Sequence, residues 1–111
     1  MKTLLTKSFS FSASFARGAK IHGHNYVLEV MTDALSASAE AALESNIEAV
    51  LIRKIDSRDL GTDVDFLKGV EITDTNLLRA FWPILSEAVA PVALHSLTLH
   101  RDRRTRTVVS G

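Results

Sequence analysis

The sequence predicts an α+β fold: a four-stranded antiparallel sheet with two helices on one face. Three observations predict it. Near the N-terminus Phe9, Phe11, Ala13 and Phe15 alternate with Ser8, Ser10, Ser12 and Ser14, the period of two of a half-buried strand. In the middle, Leu43, Ile47, Leu51 and Ile55 recur at helical spacing, and so do Leu77, Leu78, Phe81 and Leu85. At the end, two short alternating runs flank the charged turn from Asp102 to Arg104. The element order is β-β-α-α-β-β.

The first strand is expected over residues 4–15, greasy on one face and small and polar on the other. Residues 16–21 carry Gly18 and turn the chain. The second strand, residues 22–31, sets Tyr26, Leu28 and Val30 on the face of His22 and His24, so a hairpin is the natural pairing. A helix is expected over residues 33–55, with Val50 in its stripe and Ser36 or Ser38 as cap. Residues 56–69 read as a loop turning at Gly61, with Phe66 and Leu67 tucked under it. The second helix begins near Thr73, a good N-cap, with Asp74 favourably placed in the first turn. Trp82 and Ala88 extend its stripe, and Pro83 predicts a kink or a distorted turn. The third strand covers residues 92–101, with His95, Leu97 and Leu99 on one face and Thr98 and His100 on the other. Residues 105–110 form the fourth strand.

A chain of 111 residues fits one compact domain, residues 1–111. Thirteen Lys and Arg balance thirteen Asp and Glu, so no global field favours nucleic acid or an anionic membrane, and association is easier. There is no cysteine, which excludes disulfides, thiolate metal sites and cysteine nucleophiles and fits a cytoplasmic location. No apolar run reaches the length of a membrane span, and the start lacks the apolar core of a signal peptide.

The stretch richest in chemistry is His22-Gly23-His24-Asn25-Tyr26. Residues two apart on a strand share a face, so both imidazoles aim at one spot. Zinc usually wants at least three protein ligands, and two histidines fall short. The other histidines, His95 and His100, fall on opposite faces of a later strand. The bland role for the pair is hydrogen bonding to neighbouring backbone.

With that order in place, the chain resembles the 6-pyruvoyl-tetrahydropterin synthase and 6-carboxy-tetrahydropterin synthase family. The resemblance rests on F-S-A-S-F at Phe11–Phe15 with H-G-H-N-Y at His22–Tyr26, I-D-S-R-D-L at Ile55–Leu60, and I-T-D-T-N-L-L at Ile72–Leu78. It implies a T-fold subunit that joins sheets into trimers, with two trimers stacked as a homohexamer and active sites between subunits. It also implies a zinc held by three histidines, of which His22 and His24 match two while Phe15 stands at the third. Asp56 matches the family's acid–base Asp, but Ser57 replaces its His, and Gly18 or a neighbour stands where the family has a Cys. Thr73 matches a pterin-contacting Thr, with Thr75 in place of the following Glu. Arg101 stands where an anchoring Glu is expected, and Asp102 is the nearest acid.

The sequence therefore predicts a T-fold homologue that has lost zinc-dependent synthase chemistry and keeps Thr73, Arg101 and Asp102 as contacts for a pterin-like or purine-like ring. The metal remnant is His22, His24 and Phe15; the acid–base remnant is Asp56 with Ser57. No cofactor is expected. Two alternatives stand beside this: an active lyase or hydrolase with a rearranged site, which would need zinc or a new acid–base pair, and a non-catalytic structural or interaction protein. A homohexamer is the expected assembly, without nucleic-acid or membrane partners.

Overall fold

Alternating Phe and Ser residues do build a strand, and it is longer than its alternation. In the computed structural model, which describes residues 1–111, β1 (Leu4–Arg17) and β2 (Lys20–Asp33) pair antiparallel along their whole length, from Leu4 opposite Asp33 to Arg17 opposite Lys20. The expected six-residue turn is thus a tight one at Gly18 and Ala19. Gly18 has φ of 62°, a left-handed conformation that a residue without Cβ adopts at little cost. Phe9, Phe11, Ala13 and Phe15 on β1 and Tyr26, Leu28 and Val30 on β2 are buried, while Ser8, Ser10 and Ser12 are exposed.

The first helix starts later than expected, because Asp33 still belongs to β2. Ser36 is the cap; its hydroxyl accepts from the Ala39 N–H at 3.3 Å. The helical rod comprises α1 (Ala37–Ile47), a π turn (Glu48–Ile52) and the short α2 (Arg53–Ile55). The wider turn brings Ile52 into the core with Leu43, Ile47, Leu51 and Ile55, and leaves Val50 half-buried.

The sheet has five strands, not four, and is mixed; with β3 (Arg58–Asp59), β4 (Leu94–His100) and β5 (Arg106–Ser110) the order is β3-β1-β2-β4-β5. The extra strand, β3 (Arg58–Asp59), lies in the predicted loop and runs parallel to β1, Arg58 opposite Ala13 and Asp59 opposite Ser14. Two residues are too few to show a period. Backbone bonds hold it: the N–H groups of Ser57 and Leu60 donate to the carbonyls of Ser12 and Ser14, at 2.6 and 2.7 Å. Leu60, Val64 and Leu67 anchor the rest of this segment in the core.

The last helix, α3 (Asp74–Val89), begins where expected: the Thr73 hydroxyl accepts from the Asn76 N–H at 3.1 Å. It runs unbroken through Pro83. That residue is exposed, so the N–H it lacks is missed on the solvent side rather than in the core. Leu77, Leu78, Phe81, Leu85 and Val89 pack inward.

Strands β4 (Leu94–His100) and β5 (Arg106–Ser110) complete the sheet. The register of β4 on β2 slips where Met31 faces Ser96 but Thr32 faces Leu94, leaving His95 as the extra residue of a bulge. The bulge corrects the expected grouping. Leu94, Leu97 and Leu99 are the buried set, while half-buried His95 places its Nε2 2.7 Å from Asp33 Oδ1. On the same strand His100 Nε2 lies 2.6 Å from Glu29 Oε1. The buried hydrophobic cluster fills the space between the helices and one sheet face. No helix is long and apolar enough to cross a membrane.

Candidate functional site

Three parts of the fold meet at a cleft of about 450 Å3. The hairpin end supplies Phe15, Arg17, His22, His24 and Tyr26; the start of α3 supplies Ile72, Thr73, Asp74 and Thr75; the turn after β4 supplies Arg101 and Asp102. The antiparallel register explains the first group, since Phe15 faces His22, Ala13 faces His24 and Phe11 faces Tyr26 on the strands. The cap at Thr73 explains the second, because it fixes where the helix begins. The turn is fixed by Asp102, whose Oδ1 accepts the N–H groups of Arg104 and Thr105, both at 2.8 Å. Those bonds, Arg104 first, hold the Asp102 carboxyl below its ordinary range.

Aromatic rings line one wall. The Phe15 ring stacks on the His22 imidazole at 5.3 Å and 15°, and lies 6.3 Å from that of His24. His24 meets Tyr26 edge-on at 5.5 Å. The Arg17 guanidinium sits 5.3 Å from the Phe15 ring centroid and donates to the Ile72 carbonyl at 2.8 Å, tying the hairpin end to the approach to α3. Asp74 and Arg101 line the same cleft, with Arg101 Nε 3.7 Å from Asp74 Oδ2. Burial first, and then the negative charge of Asp74, push the Tyr26 phenol up to about 12.

The sequence-predicted residues divide between two places. Phe15, His22, His24, Thr73, Arg101 and Asp102 share this cleft. Ser57 lines a more open cleft with Ser12, Ser14, Asn25, Arg58, Asp59 and Asp63, and His24 borders both. Asp56 beside it accepts the Ser12 N–H at 2.9 Å. Within one chain, therefore, the acid–base remnant does not join the pocket. Sequence reasoning did not single out Arg17, Tyr26 or Asp74 as pocket residues. Tyr26 was readable as the next same-face residue after His24, and Asp74 as the neighbour of Thr73. Arg17 becomes visible only once the hairpin is known to extend that far.

The residues do not fit the zinc that the resemblance implies. Phe15 brings a phenyl face, with no lone pair, against the two imidazoles. No three His, Asp or Glu side chains of the chain come together as a metal-holding group.

No family model and no curated protein matches the sequence. Among solved structures, 6-pyruvoyl tetrahydropterin synthase from Caenorhabditis elegans superposes with a TM-score of 0.82, covering 98% of this chain and 95% of that one at 20% identity. The chain has the fold of 6-pyruvoyl tetrahydropterin synthase. An uncharacterized protein from Wolinella succinogenes matches with a TM-score of 0.71 at 13% identity, covering 100% of this chain and 99% of that one. Near-complete coverage in both directions makes the T-fold the architecture of the whole described chain. At such identities the chemistry must be read from this chain's own side chains.

Proposed function

We propose that this protein is a divergent homologue of 6-pyruvoyl tetrahydropterin synthase that binds a flat, pterin-like heterocycle and has lost zinc-dependent synthase activity. The observation that carries the reading is the cleft itself, which gathers Thr73, Arg101 and Asp102 with the aromatic rings of Phe15, His22, His24 and Tyr26. A flat heteroaromatic ring needs such a site: an apolar face to lie on and a few polar groups at its edge. Thr73 still has a hydroxyl hydrogen to donate while its oxygen serves as the cap.

The loss of synthase chemistry rests on three side chains. Phe15 removes a metal ligand; Ser57 offers no imidazole for proton transfer; Asp56 is engaged with the Ser12 backbone. No zinc or other cofactor is part of this reading. The protein assembles as a homohexamer in it, with the cleft at a subunit interface. The free flanks of the sheet support association: β5 is an edge strand, and β1 is covered by β3 only at Ala13 and Ser14.

The test is a thermal-shift panel of pterins and purines on purified protein, with elemental analysis of the same sample. The reading expects at least one pterin-type ring to raise the melting temperature and zinc to be well below one per subunit. Stabilisation by no ring in the panel would instead favour a scaffold or interaction protein. One tightly held zinc per subunit would favour a metal-dependent lyase or hydrolase.

A further inference from the structure

Strand β2 runs on past the partner beside it. Its register with β4 stops at Val27, which faces His100, while its register with β1 continues to Lys20. Beyond His100 the chain turns back on itself, the Arg101 N–H donating to the Thr105 carbonyl at 3.1 Å. Residues 20–26 therefore present one backbone edge that no strand or turn of the chain occupies. Such an edge is a template for a further strand. There is room along it on both faces of the sheet. On the core face lies the cleft with Phe15, His22 and Tyr26. On the other face a cleft of about 580 Å3 is lined by Gly23, Asn25, Val27, His100 and Arg103, and Arg101 and Asp102 border both. The chain's own packing does not demand the glycine, since a Cβ at Gly23 would meet nothing nearer than the Ala13 carbonyl at 4.0 Å.

The charges beside this edge are uneven. The Asp102 carboxyl is engaged by the N–H groups of its own turn, and Glu29 meets His100. Arg103 forms no ion pair, and Arg101 is held loosely, 3.7 Å from Asp74 and 4.0 Å from Asp102. A strand laid along the edge sends alternate side chains to opposite faces, one set toward the aromatic rings and the other toward Arg103 and the bare backbone of Gly23. We propose that the free edge of β2 takes up, by strand addition, an extended segment of a partner protein in which acidic and apolar residues alternate. Backbone bonds supply the affinity, and the two clefts select the sequence.

The test is fluorescence anisotropy of the intact protein with labelled decapeptides: one alternating Glu and Val, one alternating Lys and Val, and two forms of the first methylated on the nitrogens of Glu or of Val. The Glu peptide should bind saturably and the Lys peptide at least roughly tenfold more weakly. A strand pairs with an edge through alternate nitrogens, so one methylated form should lose roughly tenfold or more in affinity and the other much less. Arg103→Glu, at an exposed turn position, should reverse the preference toward the Lys peptide. No saturable binding of any peptide overturns the proposal, including the case in which a second copy of this chain already covers the edge. Equal binding of all three Glu peptides would leave charge alone and overturns strand addition. An unchanged preference in Arg103→Glu overturns the placement beside β2.

Discussion

In the proposed function one aromatic residue decides most of the chemistry. Phe15 lies on the buried line of β1, and its ring takes the space beside two imidazoles where a third would be needed for zinc. Phe15→His should therefore raise zinc affinity, measured by competition with a chelating dye, and lower metal-free stability by roughly 1–3 kcal/mol through the loss of apolar packing. On the proposed reading Phe15→His alone should not give synthase activity, because Ser57 remains and the chain has no cysteine; its appearance would contradict the role given to them. Tyr26 offers a cleaner probe, being the chain's single tyrosine. Its phenol is raised from 10.0 to about 12, by burial first and by Asp74 second. An acid whose folded pKa is raised favours the neutral form in the fold. The stability it contributes is present below about pH 10 and is lost as pH climbs from there toward 12. Absorbance at 295 nm should show a midpoint near 12 in native protein and near 10 in denaturant; a native midpoint near 10 would mean that the phenol is not desolvated beside Asp74. At this scale the sequence was informative, since His22, His24, Phe15, Thr73 and Arg101 do meet. Asp74 was not read as a pocket residue because the physical reason for an Asp at a helix start, the favourable dipole, is already sufficient there.

Whole elements were legible where their period was long. The alternation on β1 and the helical stripe of α3 fix both elements and their inward faces. What escaped was set by single residues: the bulge at His95, the π turn at Glu48–Ile52 and the two-residue β3, none of which leaves a periodic trace. Strand β3 depends on an unusual junction. Ser57 has φ of 60°, which costs a residue with a Cβ about 1–2 kcal/mol, and its N–H reaches the Ser12 carbonyl. Ser57→Gly relieves that strain but loses about 0.5–1 kcal/mol to the greater freedom of the unfolded chain. It should be neutral or stabilising by up to about 1.5 kcal/mol in urea denaturation. Asp56→Ala removes the acceptor of the Ser12 N–H and should cost about 1 kcal/mol. A large loss in the first variant, or none in the second, would show that the junction is not held in this way.

For the whole molecule, the order β-β-α-α-β-β gave the layered α+β architecture, and the motif resemblance implied the T-fold, apart from the short added strand. It did not show how the acid–base remnant and the pocket relate. They come from opposite sides of the β1–β2 hairpin and remain in separate clefts within one chain. The proposed assembly bears on this, because in it a neighbouring subunit would set the acid–base remnant of one chain near the cleft of another. Light scattering at micromolar concentration should report six copies per particle; a monomer would remove the inter-subunit part of the proposal. The claim at the centre is that the cleft between the hairpin and α3 holds a flat heterocycle without metal. Calorimetric titration of chelator-treated protein with pterin tests it most directly, run on wild type and on Arg101→Gln. The account predicts saturable binding by metal-free wild type and weaker binding by the variant. Absence of binding that returns on adding zinc, or equal binding by both proteins, would contradict it.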